Sequence, residues 1–252
     1  HPIYLLLVAP FAALLTIDQF VWLLLAINAI SAGVLALELV RLSGNGVGDR
    51  NLLAVASVCA SFPALYGAFL GQNVLPTLVL LIVGWRYLKE QRTLQGGVML
   101  VLAIVLKAWV APVAFLAFAT HGWRTFIAGV GISIIGLLAI PYVIDAELLA
   151  AYFDVASRLT SITVYPFNNV SVTAWLVRLL NPDWAEWAFI WSAKAVPAPI
   201  RYGAILVFIG VLLLGFWCYR TSGVSDTGIF VASLALLLLL PSVCWTHYLV
   251  FL

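Results

Sequence analysis

Long apolar runs separated by short polar joints organise this chain from end to end. A helix that crosses a hydrocarbon core of about 30 Å needs about 20 mostly apolar residues. Val21 to Val40, Leu52 to Leu70, Phe126 to Ile144, Tyr202 to Tyr219 and Gly228 to Val243 meet that ruler and are predicted to span. Pro2 to Leu15 and Val74 to Leu88 are shorter, and Gly96 to Ala119 carries Lys107 and Pro112 near its middle. That last run is either one kinked span or two half-length helices meeting near Lys107. The pattern predicts an all-α fold, a polytopic transmembrane helix bundle with short or re-entrant helices, in a single membrane domain over residues 1–252.

Composition removes the water-soluble alternative. Of 252 residues, 65% are hydrophobic and 9% charged, whereas a soluble domain has about 45–50% apolar and about 25% charged residues. The charges that remain set an orientation. Arg86, Lys89 and Arg92 form the densest basic cluster in a short joint and mark the cytoplasmic side, with Arg220 expected to share it. If Leu52 to Leu70 and Val74 to Leu88 are separate spans, the turn Gly71-Gln72-Asn73 lies on the opposite face. For His121 to Arg124 to be cytoplasmic as well, the Lys107 region must be a re-entrant pair that returns. Residues 145–199, with Trp175, Trp184, Trp187, Trp191, Pro182, Pro197 and Pro199, read as an extracytoplasmic loop region bearing interfacial aromatics. The sequence starts at His1 inside one apolar run and stops at Leu252 as another begins, the pattern expected of a domain truncated at both ends.

Several chemistries are disfavoured. The net charge is +2 and no basic stripe interleaved with aromatics occurs, so no nucleic-acid partner is expected. Cys59, Cys218 and Cys244 lie in apolar stretches without CxxC spacing or neighbouring histidines, which favours packing over a metal or a disulfide. No metal and no cofactor are expected. The stretch Gly44-Asn45-Gly46-Val47-Gly48 lacks the Lys-Ser/Thr of a phosphate loop and reads as a turn.

The polar residues inside apolar surroundings are the candidates for chemistry. A charge at membrane depth costs roughly 2.5–3.5 kcal/mol on insertion scales, so each one needs a partner, a cavity or a route to the interface. The Lys107 ammonium either pairs with a phosphate on a lipid head group or substrate, or snorkels to water. Gln72 and Asn73 precede an apolar run with Pro76 in its first turn; their amides either cap that helix or line a sugar pocket. Asn168, Asn169 and Ser171 precede a periodic stretch, Val172 to Leu180, and are placed to cap it. Asn169-Val170-Ser171 is also a formal glycosylation sequon, and Arg178 further along meets a phosphate or sits at an interface. His247, beside Trp245 and Tyr248, is an interfacial anchor, a phosphate ligand or a proton carrier. Asp18 is expected to cap the helix it precedes, and Glu38 to pair with Arg41 three residues on.

Taken in order, these motifs resemble glycosyltransferase family 87, polyprenol-phosphate-dependent membrane enzymes of GT-C type. Gly71-Gln72-Asn73 looks like the family's G-Q-x-N-type turn without its spacer. Asn169-Val170-Ser171 with Arg178-Leu179-Leu180 looks like an N-Q-S segment followed by R-L-L, with valine in place of glutamine. Trp245-Thr246-His247-Tyr248 is similar to an S-W-x-H-H/Y ending preceded here by cysteine. His1-Pro2-Ile3-Tyr4 and Ala9-Pro10 look like the tail of a Y-P-P segment, and Lys107 falls where a family lysine precedes proline. The resemblance implies transfer of a sugar, mannose by expectation, from a polyprenyl-phosphate donor to a lipid or glycan acceptor on the extracytoplasmic face of a bacterial plasma membrane. It implies donor-phosphate binding by His247 and Lys107, and a substrate pocket drawing on Gln72, Asn73, Asn169 and Ser171. It implies a catalytic aspartate in a loop preceding His1. The competing expectations are a multi-pass transporter or lipid flippase, whose inverted repeat is not evident, and a structural membrane subunit.

Overall fold

A threonine and a glutamine start the first helix. In helix α1 (Ile17–Ser43), Thr16 Oγ1 accepts the Gln19 N–H at 3.3 Å while Gln19 Oε1 accepts the Thr16 N–H at 2.9 Å. This reciprocal box satisfies two backbone donors at once, so the cap is Thr16 and not the expected Asp18, which stays exposed in the first turn. The computed structural model describes residues 11, 14–43, 73–107, 110–143, 145–164, 172–180, 193–222, 225, 228–230 and 233–234. They fall into two compact units, His1–Leu148 and Leu149–Leu252.

In the first unit α1 is polar on its buried side. Asn28, Ser31, Leu35 and Glu38 are buried at helical spacing, while Ile17, Val21, Trp22, Ile27, Ile30 and Leu37 are exposed. A soluble helix shows the opposite arrangement. Its 22-residue stretch Ile17–Glu38 is long and apolar enough to cross a bilayer.

Helices α2 (Val74–Lys89) and α3 (Thr93–Leu106) form an antiparallel hairpin around Glu90 to Arg92. Gln91 turns the corner at φ 61°, a left-handed conformation uncommon for a residue with a Cβ. Two glycines let the helices close. A Cβ on Gly96 would lie 2.9 Å from the Gly84 carbonyl oxygen and 2.7 Å from Leu88 Cδ2. Small residues at such crossings give close van der Waals packing where lipid removes the usual hydrophobic drive between helices.

The run Gly96 to Ala119 resolves into two half-length helices. Helix α3 stops at Leu106, and α4 (Ala111–Thr120) starts with Pro112 in its first turn, a position that asks for no amide hydrogen. Helix α4 folds back along α3: a Cβ on Gly97 would lie 4.0 Å from Phe118 Cε1. Residues 97 and 118 therefore face each other with Lys107 at the tip between them, the second of the two arrangements expected for this run. At about 1.5 Å per residue, α3 is about 21 Å long and α4 about 15 Å, each too short to cross alone. After Gly122, at φ 103°, α5 (Trp123–Val143) turns back again, and the Phe118 ring fills the space where Gly129 lacks a side chain. Ile127, Ile134, Ile135, Leu138 and Tyr142 of α5 are exposed.

The second unit contains most of the segment expected as a loop, and among its described residues 145–199 holds regular elements. Helix α6 (Ala146–Ser161) starts at the boundary, with Asp145 Oδ1 accepting the Glu147 N–H at 2.7 Å, and carries an Asp154–Arg158 ion pair at 3.0 Å. Strand β1 (Ile162–Val164) pairs antiparallel with β2 (Ala193–Ala195), with Thr163 opposite Lys194. Between them α7 (Val172–Leu180) packs on β1 and on α8 (Ala198–Ser222), burying Val177 with Val196 against Ile200. Leu206, Leu213, Leu214 and Trp217 of α8 are exposed. The predicted span Leu52 to Leu70 lies outside the described residues. Of Gly228 to Val243, residues 228–230 and 233–234 are described and helical.

The Gly84–Gly96 crossing generates a test. Gly96→Ala forces a methyl against backbone and should cost about 1–3 kcal/mol, seen as an earlier thermal unfolding transition in detergent. Gly97→Ala meets only atoms at 3.8 and 4.0 Å and should unfold close to the parent.

Candidate functional site

The break between α3 and α4 is built from backbone groups that a helix end leaves over. The last four carbonyls of a helix have no partner within it. Lys107 is extended (φ −143°, ψ 96°), its N–H still donating to the Ala103 carbonyl at 2.9 Å. Its own carbonyl accepts the Val110 N–H at 3.0 Å and starts the next helix. The Leu106 carbonyl is taken by a side chain far away in sequence: Asn73 Nδ2 donates to it at 3.1 Å. Lys107 itself is buried, with 7% of its surface exposed, among apolar neighbours in sequence.

Asn73 occupies the N-cap position of α2, but its side chain makes no capping bond there. Its main-chain carbonyl accepts both the Thr77 N–H at 3.1 Å and the Thr77 hydroxyl at 2.6 Å, and Thr77 is fully buried. The expected cap is thus corrected: the amide bridges to the α3 terminus instead. Asn73 and Lys107 stand far apart in the sequence, and the fold brings them to one place. Thr77 was missed; a threonine four residues after the turn, in an apolar run, was the available signal. Gln72, Asn169, Ser171 and His247 lie outside the described residues.

The other end of the α2–α3 hairpin is ionic. Glu38 Oε1 receives Arg41 Nη1 at 2.7 Å, the expected pair three residues apart, and Glu38 Oε2 receives Arg86 Nε of α2 at 2.6 Å. Arg86 also reaches Glu90 at 2.6 Å. Glu38 is 3% exposed, so two guanidinium groups offset the desolvation of one carboxylate. Arg92 stacks over the Tyr87 ring at 4.3 Å and Lys89 over Trp85 at 4.8 Å. The basic cluster Arg86, Lys89 and Arg92 and the Lys107 break are therefore at opposite ends of one hairpin. In the second unit, burial pulls the Arg178 guanidinium on α7 below its ordinary pKa. Among the described residues no group of three or more His, Cys, Asp or Glu side chains gathers as metal ligands would.

Exposed apolar side chains on α1, α5 and α8, together with a cation buried at a broken helix, fit an all-α integral membrane protein. The family model for glycosyltransferase family 87 matches residues 1–244, and the chain belongs to that family. It is a membrane glycosyltransferase, acting on a sugar donor and an acceptor, as the ordered motifs implied. Comparison with the curated proteins and with the solved structures finds no match.

The shared carboxylate can be tested through stability. Glu38→Ala leaves the largely buried Arg86 without one of its two carboxylate acceptors and should cost about 3 kcal/mol, read as a shifted SDS-titration midpoint. Arg86→Ala added to Glu38→Ala should cost less than the sum of the two single changes, because both remove the Glu38–Arg86 pair, while the Arg86–Glu90 pair is lost only with Arg86.

Proposed function

We propose that this glycosyltransferase takes its sugar from a polyprenyl-phosphate donor and passes it to a lipid or glycan acceptor on the extracytoplasmic face of a multi-pass bacterial plasma-membrane bundle. The observation that carries the reading is the buried Lys107 at a helix break, in a chain of glycosyltransferase family 87. A lipid-linked donor brings its phosphate along the membrane, and an ammonium held at that depth is a fitting counter-charge for it. Mannose is the proposed sugar.

Glycosyl transfer of this kind separates two tasks. A base removes the proton from the acceptor hydroxyl as its oxygen bonds to the anomeric carbon. The bond from that carbon to the phosphate oxygen breaks, and the electron pair leaves with the lipid phosphate. Cations and hydrogen-bond donors stabilise the negative charge that develops on the leaving group. Lys107 and His247 are proposed for the phosphate, and Gln72, Asn73, Asn169 and Ser171 for the substrate pocket. No described residue is proposed as the base; Asp18 sits exposed beside the Thr16 cap. The segment 145–199 is proposed to lie on the extracytoplasmic side with the Lys107 tip's ligands drawn from that side's lipid substrates.

Membranes containing the full chain, supplied with radiolabelled polyprenyl-phosphate mannose, provide the test. Lys107→Gln and His247→Ala should each reduce transfer by about 10²-fold, the scale of losing one group that stabilises transition-state charge. Normal transfer with unchanged donor affinity in both variants would remove the phosphate assignment. Saturable solute uptake into vesicles without covalent transfer would favour a transporter.

A further inference from the structure

The Asn73 amide and the Leu106 carbonyl meet across 33 positions of sequence, at 3.1 Å. In a continuing α-helix the Leu106 carbonyl would accept the Val110 amide, but that amide goes to Lys107 at 3.0 Å, and the Asn73 side chain donates to Leu106 in its place. In a low-dielectric interior an unsatisfied carbonyl is costly, so the donor that satisfies it helps determine where α3 stops. Asn73 is a firm anchor for that purpose. Its own carbonyl is held by both donors of the fully buried Thr77, and the adjacent Val74 and Leu75 are 2% and 3% exposed. If α3 wound on through Lys107 to Val110, the Val110 amide would return to the Leu106 carbonyl instead of to Lys107, and Lys107 would lose the extended backbone that turns the chain there.

From this we infer that Asn73 is a positioning residue for the glycosyl transfer: by holding the Leu106 carbonyl it ends α3 at that point and fixes where the Lys107 ammonium stands. The inference rests on the reading of Lys107 as a ligand of the donor phosphate. It changes the part given to Asn73, from a group that contacts the sugar to one that acts through its neighbour. It also accounts for why the amide makes no bond to the helix that it precedes.

Two measurements separate this inference from the reading beneath it. In transfer assays with polyprenyl-phosphate mannose, Asn73→Ala and the isosteric Asn73→Asp, which lacks the amide hydrogens, should each raise the donor KM by about tenfold, with kcat changing less. Asn73→Ala placed in a Lys107→Gln background should add less than about twofold, because the lysine through which it acts is gone. Losses that multiply in the double variant overturn the inference, since they make Asn73 an independent contact. Hydrogen exchange reads the positioning without any activity. The amides of Lys107 and Val110 should exchange faster in Asn73→Asp than in the parent, with those of 97–102 unchanged, and equal exchange at Lys107 and Val110 overturns the inference. If Lys107→Gln leaves the donor KM unchanged, the phosphate reading fails, and faster exchange still upholds Asn73 as the group that ends α3.

Discussion

A helix that ends inside an apolar interior exposes carbonyl oxygens that no water reaches, and each must find a donor from the protein. The first unit depends on how that constraint is met at Leu106. Asn73 supplies the donor, Val110 closes on Lys107, and Pro112 begins the next helix without needing a bond for an amide hydrogen. Because those three residues absorb the break, α4 can return along α3 and leave a buried lysine at the tip. The same geometry that gives the Leu106 carbonyl its donor keeps a cation buried at the break.

At the far end of the hairpin the constraint is charge rather than backbone. Glu38 stays buried because two arginines converge on it, one from its own helix and one from α2. Between the two ends, Gly84 and Gly96 bring the backbones close enough for contacts that lipid does not offer. The first unit is thus held by polar bonds at its extremities and by close packing in the middle, with apolar side chains facing outward on α1 and α5. That exposed apolar surface is the physical counterpart of the chain's membership of a membrane glycosyltransferase family.

How much of this was legible in the sequence depends on the range of the interaction. Hydropathy located α1, α2, α5 and α8 to within a few residues, since length and apolarity act locally. The Glu38–Arg41 pair was legible for the same reason, whereas Arg86, 48 positions away, was not. The choice between a kinked span and two half-helices at Lys107 turned on Asn73 reaching Leu106, which spacing along the chain does not encode. Two local signals were passed over. Thr16-Ile17-Asp18-Gln19 is a capping box, and Leu148, Leu149, Tyr152, Phe153 and Ala156 have helical spacing inside a stretch read as loop because prolines and tryptophans dominate beyond it. The three-residue strands β1 and β2 are too short for alternation to announce them. The motifs identified the family correctly, because their order along the chain carries information that each motif alone lacks.

The account stands on the Lys107 tip being reached from the extracytoplasmic side and the Arg86–Arg92 turn from the cytoplasmic side. Single cysteines at Ala111 and Gln91, in a chain whose Cys59, Cys218 and Cys244 have been replaced, test this directly with a membrane-impermeant maleimide on intact cells. The account predicts that Ala111→Cys is labelled from outside and Gln91→Cys only after the membrane is permeabilised. Labelling of both from the same side, or the reverse pattern, would contradict it.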